Sequence, residues 1–201
     1  SKIRFIKFLF LIFFLIFNCF YLLAQNYFSL NVDNDLFFGT DRYYTSGIFL
    51  KYGNQISIDS LISNKRITSS HYTIGQKINS PSYRYTEELK KIDYPYNGWL
   101  FFEYKKKTFY SNFKGYSIGL QIGITGDNES LSKPMQNLYH KYILNLPKLP
   151  WTAHQPSSFH FNFFSKYYNK IIIFNKCMFL NQSEIYLGTF ESFFGTRFGI
   201  Q

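Results

Sequence analysis

From residue 26 onward the chain alternates apolar and polar positions with a period of two, the repeat of a β-strand. The clearest run is 116–123. Tyr116, Ile118, Leu120 and Ile122 fall on one face of it, and Ser117, Gly119, Gln121 and Gly123 on the other. Weaker copies at 28–33, 45–52, 72–78, 99–104, 159–167, 171–179, 185–190 and 194–200 bring the expectation to about nine strands. Such a strand suits a barrel wall with its apolar face on lipid, or a soluble sandwich with that face turned inward. Periodicity alone does not separate the two.

The segments between these runs differ in length. Short polar stretches at 105–114 and 168–170 read as turns, and longer ones at 36–44, 79–97 and 124–158 read as loops. Bacterial barrels carry short turns at the periplasmic end and long loops outside. Strands running alternately up and down therefore bring Asn34 and Asp35, the 41–45 stretch, 80–93 and the loop after Ile124 to one rim. The connection 53–70 does not fit this scheme.

Ahead of the first strand, Lys2, Arg4 and Lys7 precede an apolar run from Phe8 to Leu23 that contains no acidic residue and ends near Ala24. That is the pattern of a secretory signal peptide, so residues 1–25 are expected to be a leader and 26–201 the barrel domain. Without the leader, 19 basic residues face 12 acidic ones, a net charge of +7. A basic exported protein meets phosphorylated lipids rather than nucleic acid. Cys177 then stands alone, which excludes an intramolecular disulfide. The 25 Phe and 18 Tyr of the whole chain suit the aromatic girdles of a barrel. Export and this aromatic content favour an all-β, antiparallel transmembrane barrel with a short helix in an extracellular loop.

Three constellations could carry chemistry. The run 31–35, Asn-Val-Asp-Asn-Asp, supplies oxygen ligands at the density a hard cation prefers, with Asp41 just beyond, although an ordinary Asn/Asp turn would look similar. The stretch 131–145 reads as a short helix with Ser132 as its N-cap and Pro134 in its first turn. Gln136 and His140 would share one face of that helix, with Met135, Leu138 and Tyr142 on another, and an imidazole there could serve as a general base. Arg84, Lys90 and Lys91 in one rim loop, with Lys133 and Lys141 in the other, could hold lipid phosphates. No serine nucleophile elbow, zinc ligand spacing or glycine-rich phosphate loop is read in the chain.

Five strings occur in one order: Asn34-Asp35; Asp41-Arg42-Tyr43-Tyr44-Thr45-Ser46-Gly47; Gly75-Gln76-Lys77-Ile78-Asn79-Ser80-Pro81; Asp93-Tyr94-Pro95-Tyr96-Asn97-Gly98-Trp99; and Gln136-Asn137-Leu138-Tyr139-His140. In this order, across roughly residues 30–155, they resemble the LpxR family of outer-membrane lipid A 3′-O-deacylases. The resemblance implies a twelve-stranded barrel whose active site lies between the wall and a helix of an outer loop. It also implies calcium-dependent hydrolysis of an ester on lipid A. Asn34 and Asp35 match the family's metal-site pair, Thr45 its active-site threonine, and Gln136 and His140 its loop-helix pair, with His140 the base. The family's active-site lysine falls near Thr86, so Arg84, Lys90 or Lys91 would stand in for it, and an acidic residue falls near Leu146. The chain ends after about nine strands, which sets the expectation of a sequence cut short.

The expected protein is thus a monomeric, Ca²⁺-dependent outer-membrane hydrolase acting on lipopolysaccharide from the extracellular side. Two rivals stay open: a non-catalytic barrel that forms a channel or binds at the surface, and an outer-membrane phospholipase, which needs a Ser/His pair.

Overall fold

A computed structural model describes residues 26–34, 43–59, 65–174 and 177–200. The expected leader, Asp35 and Asp41 lie outside the described residues. Eight strands follow one another in a single sheet: β1 (Asn26–Asn34), β2 (Tyr43–Asp59), β3 (Arg66–Ser80), β4 (Asn97–Tyr110), β5 (Lys114–Thr125), β6 (Phe159–Phe174), β7 (Cys177–Gly188) and β8 (Phe193–Ile200). Their order in the sheet is their order in the chain, and each pair is antiparallel. The helix expected in the long loop is present as α1 (Ser132–Tyr142).

Burial on β5 decides between the two readings of its alternation. Ser117 is 0% exposed and Gln121 7%, whereas Ile118 is 43% exposed and Ile122 38%. The polar face is the covered one. The same sense holds on β2, where Ile48, Leu50 and Tyr52 are exposed beside buried Gly47 and Gly53, and on β6, where Phe161 and Phe163 flank buried Asn162. Apolar outside and polar inside is the arrangement of a transmembrane barrel wall, because the outward face then meets hydrocarbon. Among the described residues no helix is long and apolar enough to cross a membrane.

The covered face is held by polar bonds. Gln121 donates from Nε2 to Glu103 Oε2 at 2.8 Å, and Asn162 donates from Nδ2 to Gln121 Oε1 at 3.3 Å. Glu184, 6% exposed, receives Lys166 at 2.7 Å on one oxygen and Arg197 at 3.1 Å on the other, so both of its carboxylate oxygens are paired.

This interior also explains where the expected strands fall short. Lys105 and Lys107 belong to β4 and not to a turn. Lys105 pairs with Glu103, and the Lys107 ammonium lies 4.5 Å from the ring centre of Phe109 and 5.3 Å from that of Tyr168. Polar residues that point into a polar interior resemble a solvated turn in sequence; the actual reversal is at 111–113. Residues 168–170 likewise continue β6. The long strands β2 and β3 absorb most of 53–70, which removes the exception in the loop scheme. The ninth strand, 171–179, does not exist as such: its halves end β6 and begin β7, with Ile171 paired to Phe179 across the hairpin.

Connections after β1, β3, β5 and β7 leave from one end of the sheet, and those after β2, β4 and β6 from the other. The rim predicted to gather the candidate residues is therefore real. A charge placed on the outward face near mid-membrane should be costly: Ile118→Arg is expected to destabilise the vesicle-folded protein by roughly 2–4 kcal/mol in denaturant titration. Unchanged stability would mean that this face does not meet hydrocarbon.

Candidate active site

One side of the site is the top of the wall. A bulge between Tyr44 and Ser46 gives β2 one residue more than β3 at this point, since Tyr44 pairs with Asn79 and Ser46 with Ile78. An extra residue exchanges the faces on either side of it. Strict alternation from Gly47 would turn Thr45 toward the interior and Tyr44 toward lipid. Instead Tyr44 reaches inward, its hydroxyl donating to Asp33 Oδ2 at 3.1 Å and standing where a side chain on Gly47 would go. Thr45 is left, buried at 7% exposure, beside Asn34 and Ser46, which pair across β1 and β2.

The other side is α1, which packs on the outward face of β3 and β4. Its buried side chains are Ser132, Gln136 and His140, spaced by four so that they form one polar stripe. Gln136 donates to Ser80 Oγ at 3.0 Å and accepts from Trp151 Nε1 at 2.9 Å. Gln76 donates to the Ser130 carbonyl at 2.8 Å. Gly98 admits the helix N-terminus, because a Cβ there would overlap the Ser130 and Ser132 hydroxyls. Ser132 is not the N-cap. That place falls to Leu131, in a left-handed conformation with φ 60°, while the Ser132 hydroxyl accepts from Ser130 Oγ at 2.8 Å. The same hydroxyl accepts from Gln76 Nε2 of β3 at 3.4 Å, so a bond to the wall takes the place of a local cap.

Between wall and helix lies a cavity of about 830 Å³. Asp33, Asn34, Thr45, Ser46, Gln76, Gln136 and His140 contribute its polar positions, and Val32, Ile48, Ile78, Met135, Leu138 and Ile143 much of its apolar lining. His140 is 4% exposed, and its Nδ1 is 3.4 Å from the Tyr85 hydroxyl. Burial first, and the Arg84 charge second, push its pKa below the ordinary histidine value against a hydrogen bond with the Pro147 backbone. Arg84 lies with its guanidinium 5.4 Å from the Tyr85 ring centre. The loop that carries both is tied down at each end. Asp93 accepts from the Ser82 amide at 2.9 Å and hydroxyl at 2.6 Å, bonds that hold its carboxyl below the usual range, and Tyr96 donates its hydroxyl to the Arg84 carbonyl. Tyr96 in turn stacks on Trp151, with ring centres 4.8 Å apart, in a buried cluster with Ile78 and Leu149.

Of the candidate residues, Asn34, Thr45, Gln136 and His140 meet in this cavity, although they come from three separate segments. Asp35 lies outside the described residues. Of the three basic candidates for one rim loop, Arg84 acts on His140, whereas Lys90 and Lys91 sit on an exposed 3₁₀ turn, Lys91 bound to Glu88 at 2.7 Å. Neither lysine lines the cavity. Leu146 does come close to the helix end, its amide donating to the His140 carbonyl at 2.9 Å. Sequence reasoning missed Tyr85, Ser80, Gln76 and Trp151. Only Trp151, a lone indole in a polar loop, carried a visible signal. It also missed that residues 115–119, Gly-Tyr-Ser-Ile-Gly, have the spacing of a nucleophile elbow. That string runs through the middle of β5, where Ser117 is buried on the interior face and its hydroxyl lacks a hydrogen-bond partner, so it forms no strand-to-helix elbow.

The donors at Asn34, Thr45 and Ser46 are all oxygen, the type a hard cation such as calcium takes. Among the described residues no group of three or more His, Cys, Asp or Glu gathers, and the carboxylate on the cavity lining is that of Asp33, whose Oδ2 accepts from the Tyr44 hydroxyl.

A wall apolar outside and polar inside, with polar side chains gathered beneath a rim helix, defines a β-barrel protein of the outer-membrane type. The chain belongs to the LpxR family: the family model, described as outer membrane protein LpxR, matches residues 9–200. Among solved structures the chain is similar to LpxR from Salmonella typhimurium, with a TM-score of 0.61 and 22% sequence identity over 77% of this chain and 52% of that one. The chain thus spans about half of that structure, and at this identity the likeness shows the fold. No curated protein matches the sequence.

The electrostatics of the site can be measured directly. In ¹⁵N-histidine spectra His140 is expected to titrate below the ordinary histidine midpoint, and Arg84→Ala to move that midpoint upward because a repelling charge is gone. A midpoint that ignores the substitution would remove Arg84 from the site.

Proposed function

We propose that this protein is an ester hydrolase of the outer membrane that removes an acyl chain from lipid A, a lipid A 3′-O-deacylase, with its active site at the extracellular rim. One observation carries the reading: His140 of α1 and the Asn34 and Thr45 pair of the wall line the same largely apolar cavity, on the face of the sheet that turns toward lipid. Family membership supports it.

In the reaction we envisage, the acyl chain lies along the apolar lining and its ester reaches the polar end of the cavity. His140 takes a proton from the attacking water, the water oxygen adds to the ester carbonyl, and the C–O bond to the sugar breaks. The protonated imidazole returns the proton to the leaving sugar oxygen, giving a fatty acid and a free hydroxyl. A lowered pKa suits this role, because the ring is then neutral and ready to accept at neutral pH. Thr45 orients the ester or the water. The Gln136 amide is already engaged at both ends, by Ser80 and Trp151, so its part is to hold α1 in place. Arg84 keeps the imidazole neutral and offers a cation to a glucosamine phosphate, a role open also to Lys90 and Lys91 at the loop surface. Calcium, where bound by Asn34 and Asp35, would supply Lewis-acid stabilisation of the charge that develops on the carbonyl oxygen.

His140→Ala is expected to lower acyl release from lipid A by about 10²–10⁴-fold, followed by mass spectrometry of the product, while heat-modifiable electrophoretic mobility shows that the wall still assembles. Full activity in this variant would remove the base. EGTA should stop the reaction and added Ca²⁺ restore it; hydrolysis indifferent to chelator would eliminate the metal. The active form is the neutral imidazole, so activity falls as pH drops through the lowered His140 pKa. Arg84→Ala shifts that acid limb to higher pH.

A further inference from the structure

The helix that covers the site carries a second stripe that the chemistry does not use. Leu131, Met135, Leu138 and Tyr142 follow one another at spacings of four, three and four, and are 49%, 39%, 60% and 68% exposed. The stripe on the wall side, Ser132, Gln136 and His140, is buried and polar. A helix at a water-facing surface is arranged the other way, with apolar residues toward the protein and polar ones outward. α1 repeats instead the inverted sense of the strands beneath it.

The apolar stripe is continuous with an apolar surface already described. Met135 and Leu138 belong both to the stripe and to the cavity lining, and across the cavity stand Val32 and Ile48 of the wall. Val32 is 62% exposed, and below it the outward face continues through Leu30 and Ile74, exposed at 62% and 54%. The apolar stripe of the helix is therefore continuous, through the apolar part of the cavity lining, with the outward face of the wall. Lys141 lies off the stripe, exposed, its ammonium 5.1 Å from the Tyr142 ring centre, where a long stem can carry the charge back toward a headgroup layer. An exposed apolar surface of this extent calls for an apolar partner, and its continuity with the wall makes that partner hydrocarbon rather than another protein.

We infer that α1 is immersed in the acyl region of the outer leaflet, its stripe from Leu131 to Tyr142 in contact with lipid chains. The cavity behind it then fills sideways from the membrane. The contact with lipid rests on the wall's sense of burial, and the lateral entry of an acyl chain rests on the hydrolase reading above. Substrate in this arrangement is a lipid resident in the leaflet, drawn in by its chain; a dispersed, water-soluble ester would have to reach the cavity through the headgroup layer.

Site-directed fluorescence tests the immersion without reference to catalysis. In a Cys177→Ser background, single cysteines replace Leu138, Tyr142 or Lys141, carry an environment-sensitive nitrobenzoxadiazole label, and are folded into phosphatidylcholine vesicles. Labels at Leu138 and Tyr142 should be quenched several-fold more by acyl-chain nitroxide lipids than by aqueous iodide, and the label at Lys141 the reverse. Two stripe positions guard against a single variant that fails to fold. If both stripe labels are as open to iodide as the one at Lys141, the helix stands in water and the inference is wrong. The same quenching measured on His140→Ala keeps the two readings apart. Lipid contact without hydrolysis in the unsubstituted protein would overturn the deacylase alone, and hydrolysis with a water-exposed stripe would overturn the immersion alone.

Discussion

The structure depends on one constraint: a polar group on the outward face of the wall has no water to bond with, so the protein must supply its partner. Along most of the sheet the constraint is met trivially, because the outward positions are Ile, Leu, Phe and Tyr. Near the rim it is not. Gln76 and Ser80 of β3 and Asn34 and Thr45 at the joined ends of β1 and β2 put amides and hydroxyls where apolar side chains belong. The helix α1 exists to cover them. Its Ser132, Gln136 and His140 stripe brings the missing partners, and the hydrogen bonds Gln136 to Ser80 and Gln76 to the Ser130 carbonyl close the seam.

What the cover leaves open is the site. Helix and wall meet through Gln136 and the helix N-terminus, and the cavity left between them is lined by Asn34 at the end of β1 and by His140, whose imidazole stands beside the Tyr85 hydroxyl. Burial and the Arg84 charge then act in the same direction on His140 and keep it neutral. The polar groups that would be a liability in lipid are thus the ones on which the proposed hydrolysis rests. They are tolerated because each is satisfied within the protein or faces the cavity. A fixed Tyr96, stacked on Trp151 and bonded to the Arg84 carbonyl, ties the two rim loops into one support.

Much of this was legible residue by residue. The alternation of 116–123 predicts β5 with the correct faces, since an apolar and a polar side exclude each other on one strand. The spacing of Gln136 and His140 predicts their shared helical face for the same kind of reason. The misread strand boundaries have one source. Lys105, Lys107, Tyr168 and Lys170 are polar or amphipathic residues within strands, and a sequence window cannot distinguish a lysine in water from one turned into a polar interior. The strands consequently read too short, and the hairpin between β6 and β7 passed as a strand of its own.

Thr45 entered as a candidate through the resemblance to the LpxR family; the chain's residue pattern by itself determined the strand class, the up-and-down order that sends alternate loops to one rim, the oxygen-rich run that includes Asn34, and the shared helical face of Gln136 and His140. Those follow from local periodicity and connectivity, which are properties of neighbours along the chain. The sense of burial, the bulge that turns Thr45 outward, and the service of Tyr85, Ser80 and Trp151 to residues dozens of positions away were settled only by the fold. Which face is covered, and what stands opposite a given side chain, are set by contacts between segments that no local pattern encodes.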